Sequence, residues 1–189
     1  MIISLIIADV SLIVWYFPAV KQRHTDLFYY FYFTALVHPL RLYLYYFGWI
    51  SVVHTELPAA FLILASLFLN NNRWFLFAAI PVEIILYFIS KIISMEAVVL
   101  LKLLLYILIL LYFTRELIIK ILDDKVISIF FTFLIILALS ILLKNITVLT
   151  DIRTGEIYFY VTTAFQLILG LYFSIFAIHT HDIKLSVRK

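Results

Sequence analysis

Six ionisable side chains lie within stretches otherwise made of Leu, Ile, Val and Phe: Asp9, His38, Arg41, His54, Glu56 and Glu83. A charged group in hydrocarbon costs about 2.5–3.5 kcal/mol on insertion scales, so such residues face a protein interior and have partners. The same residue types build intramembrane proton relays, ligand pockets and structural ion pairs. Thr34, His38, Arg41 and Tyr45 recur at i, i+4, i+7 and i+11, which puts them on one helix face. Glu83, Tyr87 and Lys91 repeat the pattern further along. The simplest pairing joins Arg41 to Glu83, with His38 or Asp9 as a further partner. Lys102 is expected to climb its own helix toward the nearer surface, since its Cβ tilts that way and its stem is long.

Other chemistries lack their residues. The chain has no cysteine, which excludes disulfides, thiol catalysis and thiolate metal sites. His54-Thr55-Glu56 offers two ligands, whereas a zinc site takes three or four protein groups at fixed spacing. A bis-histidine haem needs its histidines level on facing helices. His38 lies ~7 Å deeper than His54 at a rise of 1.5 Å per residue. No metal, haem or other cofactor is expected. No nucleophile motif or phosphate loop is present. An intramembrane or lipid-modifying enzyme would need His54, Glu56 and Glu83 within about 3 Å of one reacting atom.

The elements that must position these residues are seven apolar stretches, at about 2–19, 27–47, 50–69, 74–93, 96–114, 126–144 and 157–179. A helix needs roughly 20 mostly apolar residues to cross the hydrocarbon core. Of the 189 residues 66% are hydrophobic and 13% charged, which leaves too little polar surface for a soluble domain of this length. Runs such as Leu134-Ile135-Ile136-Leu137-Ala138-Leu139 are continuous and do not alternate, which excludes a transmembrane barrel. The expectation is an all-α polytopic membrane bundle of about seven helices. It forms a single transmembrane domain over residues 1–189 with no soluble domain. The first stretch carries Asp9 and has neither a basic start nor a small-residue cleavage pattern, so it reads as a retained helix rather than a signal peptide. Only 57–69 of the third stretch is strongly apolar, and 49–56 could instead lie at the interface or re-enter.

Lys and Arg in the links give the orientation. Lys21, Arg23, Arg73, Arg115, Lys120, Lys125, Lys184, Arg188 and Lys189 fall on one side, and Lys91, Lys144 and Arg153 on the other. The richer side is cytoplasmic, which places the N-terminus outside and the C-terminus inside. The rich Ile, Phe, Tyr, Lys and Asn usage is that of an AT-rich bacterial genome, so the expected location is the inner membrane. The net charge of +3 includes no basic arm or stripe, and no nucleic-acid partner is implied. Aromatic clusters flank the second stretch, Phe28 to Phe33 at one end and Tyr43, Tyr45, Tyr46, Phe47 and Trp49 at the other. They read as an interfacial belt, with a cage for a quaternary amine as the competing reading.

The chain is asymmetric. Pro18, Pro39, Pro58 and Pro81 fall one in each of the first four stretches, and the six ionisable residues lie in the same four. The first half reads as the working part and the second as scaffold or partner-facing surface. No internal repeat joins the halves. Gly48, Gly155 and Gly170 are the only glycines and form no GxxxG pattern, against the close-packing machinery of many transporters. Asn145-Ile146-Thr147 matches a glycosylation sequon. The 115–125 link reads as a solvated connection or a small docking surface, and the 184–189 tail is too short for an output domain.

These features lead to a non-enzymatic inner-membrane protein that acts through partners. It would be an accessory subunit of a larger membrane complex or a sensor module passing its signal to a separate protein. The alternative is a small transporter or channel with an outward-opening polar pocket built on Asp9, His38, Arg41 and Glu83.

Overall fold

In hydrocarbon an apolar stretch satisfies its own backbone groups only as a helix. The computed structural model describes residues 2–47, 53–69, 74–150, 155–178 and 182–184. Seven α-helices make up nearly all of it: α1 (Ile2–Lys21), α2 (Phe28–Tyr46), α3 (Glu56–Ser66), α4 (Trp74–Ile92), α5 (Met95–Ile119), α6 (Ile129–Leu149) and α7 (Gly155–Ile175). The rest is a 3₁₀ turn at Val53–Thr55, a π-helical turn at Lys120–Asp124 and two short strands, β1 (Val126–Ser128) and β2 (Asp182–Lys184). The all-helical architecture and the seven helices are as expected. Among the described residues two helices are long and apolar enough to cross a membrane. These are Met95–Asp124, with a mean hydropathy of 2.5, and Ile129–Thr147, with 2.4. They support membrane association.

The third helix departs most from expectation. It covers 11 residues of the expected 50–69, about 16 Å at 1.5 Å per residue. Pro58 sets its start, because a residue without an N–H is tolerated in a first turn and not in a helix interior. At its other end Ser66 donates back to the Ile63 carbonyl at 2.6 Å, and Leu67, Phe68 and Leu69 bond three residues back. Such local bonds compete with the α-helical ladder and end it. The short helix is well enclosed. Leu57, Pro58, Ala59, Ala60, Ile63, Ala65 and Ser66 are all buried, and it packs on α2, α4 and α5.

α5 departs in the other direction. Ser94, in extended backbone, accepts from the Ala97 N–H at 3.3 Å, and Glu96 places an acidic group in the first turn. Both favour a helix start, one by satisfying an orphan donor and one by opposing the dipole. The helix passes its expected end at 114 and, with the π turn, spans 30 residues. That is about 45 Å at the helical rise, against a hydrocarbon core of about 30 Å. Lys125, at φ 55°, then takes the left-handed region, and its N–H bonds the Lys120 carbonyl. This reverses the chain into β1. β1 pairs antiparallel with β2 in the register Val126↔Lys184, Ile127↔Ile183, Ser128↔Asp182. The 115–125 link is therefore ordered helix and turn tied to the chain's tail, not a solvated loop.

Contacts along the helices alternate their directions. α1 runs parallel to α7: Val14 and Trp15 lie against Gly170, and Gln22, one residue past α1, meets the carbonyls of Phe173 and Phe176. α1, α3, α5 and α7 finish at one end, called here the basic end after Lys21, Arg23, Arg115, Lys120 and Lys125. Near that end the bundle is held by aromatic packing. Phe31, Phe113, Phe130 and Phe173 are fully buried, with Tyr30 and Phe131 beside them. Tyr30–Phe113, Phe31–Phe173 and Phe130–Phe173 centroids lie 5.2, 5.3 and 5.0 Å apart. Each such pair is worth about 0.5–1.5 kcal/mol. That contribution matters in a bilayer, where association depends on packing rather than on escape from water.

This layer corrects the belt reading of Phe28–Phe33. Tyr30 and Phe31 point into the core, while Tyr32 faces out. At the far end of α2, Tyr43 and Phe47 are exposed, as a belt requires, while Trp49 lies outside the described residues. The sequon match, a short pattern of a kind that is commonly accidental, is not an acceptor site. Asn145 is buried within α6, and its amide donates to the Ile141 carbonyl at 2.8 Å. A glycosyl acceptor belongs in an exposed loop.

Candidate functional site

Two regions concentrate polar chemistry, and the first is the opposite end of the bundle. Glu56 opens α3 and accepts from the ammonium of Lys102 on α5. The two side chains are 31% and 13% exposed, so the pair is largely shielded. Lys102 is thus held against Glu56 of a neighbouring helix. It stays level with the start of α3, because α3 begins inside the bundle and brings a carboxylate to it. Lys144 of α6 lies within electrostatic reach of both and donates to Thr163 Oγ1 of α7 at 3.4 Å. One layer deeper Gln166 donates to Ser140 Oγ at 3.2 Å. Helices α5 to α7 therefore contribute polar groups of their own.

His54 sits in the 3₁₀ turn and locks α3 to α4. Ser90 Oγ donates to the His54 carbonyl at 2.9 Å, and His54 Nδ1 lies 2.9 Å from the Ser90 carbonyl. A carbonyl only accepts, so Nδ1 carries the proton there. Glu83 lies on α4, seven residues before Ser90 and hence about 10 Å away along the axis. Its Oε1 is buried and has no hydrogen-bond partner among the described residues. The structure thus gathers His54 and Glu56 at one level and holds Glu83 at another. That separation is too wide for the three to share a reacting atom. Asp9, His38 and Arg41 belong to α1 and α2, and their side chains lie outside the described residues, as does any Arg41–Glu83 pair. Among the described residues no three His, Asp or Glu side chains gather at metal-ligand distance.

The second region, at the basic end, escaped the sequence reading. A cavity of about 360 Å³ opens between the α1–α2 link and the end of α5. The link contributes His24, Thr25 and Asp26 to one wall. Tyr112, Glu116 and Lys120, spaced four residues apart on one face of α5, form the other. Leu27, Phe131 and Ile178, all core residues, make the floor. Arg23 Nε donates to His24 Nε2 at 2.9 Å. Lys120 lies 3.8 Å from Asp182 of β2 and 5.4 Å above the Phe131 ring. The π turn begins at Lys120, and π-helical turns frequently mark functional positions.

One amide fixes the link that forms the first wall. Gln22 is fully buried and donates from Nε2 to the carbonyls of Phe173 and Phe176, at 3.3 and 2.8 Å. These are carbonyls at the end of α7, where intrahelical donors run out. Thr25 then donates to the Gln22 carbonyl at 2.9 Å. The visible signal was a lone amide in a basic link. Its partners, some 150 residues away, were not visible. No protein family matches this chain, and no curated protein or solved structure shows significant similarity to it.

Proposed function

We propose that the chain is a multi-pass inner-membrane protein that acts through partners, as a sensor module or an accessory subunit of a larger complex. In this reading α1, α2, α4 and α7 cross the membrane with α5 and α6. α3 and its flanking turns form a shorter seventh pass, with the N-terminus outside and the basic end in the cytoplasm. The helix lengths of 19–21 residues and the excess of Lys and Arg at the basic end support it.

One observation carries the partner reading. The two polar segments available to a separate protein, the end of α5 and the tail, are joined by the β1–β2 ladder and by Lys120–Asp182 beside a ligand-sized cavity. A cavity and a displayed surface that share one lysine are what a small sensor needs in order to report occupancy. The test is photo-crosslinking in native membranes from Leu122 or Ile183, both exposed at this end, with the lipid-facing Leu104 as control. A defined adduct from the first two positions alone supports the reading. A chain that crosslinks to nothing and purifies as a clean monomer or homo-oligomer removes it.

The transporter reading keeps one specific support: Glu83 Oε1, buried without a partner among the described residues. Unpaired acids in membranes mark proton and ion paths. Proton or ion flux in liposomes holding the purified protein, abolished in Glu83→Gln, would establish it in place of the first.

A further inference from the structure

We infer that the cavity at the basic end binds a small zwitterion: its ammonium is held by Asp26 and Glu116, and its anionic group takes Lys120 away from Asp182. The inference rests on the sensor reading and names its ligand class. The cavity is the size of a small-molecule site, with an apolar floor and polar walls. Those groups are of both signs: Asp26 on the link, and, on the facing wall, Lys120 one turn from Glu116, which also accepts from Arg115 at 2.9 Å. A simple anion would meet two carboxylates, and a simple cation would meet Lys120. A molecule carrying both charges meets a group of opposite sign with each. The ring of Tyr112 lies one turn from Glu116, where it can flank an ammonium.

Lys120 supplies the coupling. Its ion pair with Asp182 is long, at 3.8 Å, and both side chains are partly exposed (16% and 26%). At that separation the nitrogen and oxygen are beyond hydrogen-bond distance and the contact is loose. An anionic group inside the cavity can therefore displace Asp182. The strand that Asp182 begins is three residues long, and all three are exposed. Two buried hydroxyls without partners among the described residues stand nearby: Ser128 Oγ, opposite Asp182 in the ladder, and Tyr172 OH, within its electrostatic reach. Orphaned buried donors are rare in a settled structure and fit a site with a second arrangement. A carboxylate released from Lys120 has new donors waiting, and the tail moves with it.

A zwitterion of this kind has two sources, the headgroup of an ethanolamine phospholipid or a water-soluble amino acid. The test uses the full chain in phosphatidylcholine nanodiscs, titrated separately with glycerophosphoethanolamine and with glycine by calorimetry, and repeated in discs containing phosphatidylethanolamine. Because the chain has no cysteine, spin labels on Leu122→Cys and Ile183→Cys report the tail alone. Binding of either probe, weakened about tenfold or more in Asp26→Asn and Glu116→Gln, is expected from loss of a charge-assisted hydrogen bond. The label distance should broaden on binding, and the more effective probe identifies the source. Binding that ignores both variants, or no binding of either probe with an unchanged label distance in phosphatidylethanolamine discs, overturns the inference. Crosslinked adducts at Ile183 without zwitterion binding would remove the ligand and leave the partner reading standing. Zwitterion binding without adducts would do the reverse.

Discussion

Glu56, in the first turn of α3, and Lys102, one turn from the start of the buried stretch of α5, form an ion pair across 46 residues of chain. The pair joins the shortest helix to the longest. α3 begins within the bundle, so the carboxylate in its first turn needs a cationic partner there. Lys102 is that partner, and Lys144 adds positive charge nearby. Neutralising one member strands the other. Glu56→Gln or Lys102→Met alone should cost about 1–3 kcal/mol, less than a fully buried pair because both side chains retain some exposure. The double variant should recover part of that loss. Unfolding of the three variants in detergent, read as a double-mutant cycle, checks it. Additive losses would mean that the two residues do not interact.

Gln22 offers a cleaner case, because its partners are backbone atoms. Gln22→Leu keeps the apolar volume and leaves the carbonyls of Phe173 and Phe176 without their donor at the end of α7. The expected loss is about 1–3 kcal/mol, the cost of unsatisfied buried acceptors. Hydrogen exchange should rise in the last turn of α7 before any other part of the bundle. Uniform exchange across α1 and α7 would show that the amide is not a local clamp.

Gly170 sets two effects against each other. Replacing a helical glycine by alanine gains about 1 kcal/mol of propensity. A Cβ there would meet Val14 Cγ1 at 3.1 Å and the Trp15 ring at 3.4 Å. Val14 is β-branched and has little rotamer freedom with which to yield. Gly170→Ala should therefore come out near neutral, since the strain offsets the propensity. Gly170→Val adds bulk that the α1–α7 contact cannot absorb, and should cost about 1–3 kcal/mol. Thermal unfolding of both variants gives the comparison, and equal stability would show that α1 and α7 separate easily.

What could be read from the chain follows from what periodicity encodes. Hydropathy runs placed α1, α2 and α4 closely, while α6 runs on past its expected end at 144 to Leu149 and α7 stops at Ile175, short of 179. α5 exceeded its expected end because Arg115, Glu116 and Lys120 are good helix formers, and polarity ends a span without ending a helix. α3 fell short because one proline and one back-bonding serine outweigh an apolar run. The site was less legible. A 3.6-residue period assigns Glu56 or Lys102 to a face but cannot say which helix lies opposite. The cavity draws on the α1–α2 link, α5, α6 and the segment after α7, and no local pattern unites those pieces.

The topology makes its own prediction. If the alternating directions correspond to membrane crossings, single cysteines at Lys125 and Ile183 should react with a membrane-impermeant maleimide from one side, and those at Ile92 and Thr150 from the other. All four positions are exposed in the structure, so burial does not compete with topology in deciding the outcome. Labelling of Lys125→Cys and Thr150→Cys from the same side would mean that α6 does not cross.

Glu83 remains the residue whose role stability measurements can sort. Its Oε1 is buried on α4, with no partner among the described residues. A polar group buried without a hydrogen bond costs about 1–3 kcal/mol in proteins. If Glu83 has no partner at all, Glu83→Leu should raise stability by about that amount, and Glu83→Gln should leave it nearly unchanged. If Arg41 supplies a cation, both substitutions should lower stability, because the guanidinium would be left alone in hydrocarbon. A stabilised Glu83→Leu would mean that the carboxyl is retained at the fold's expense, the signature of a functional group. A destabilised pair of variants would return Glu83 to the role of a structural counter-ion.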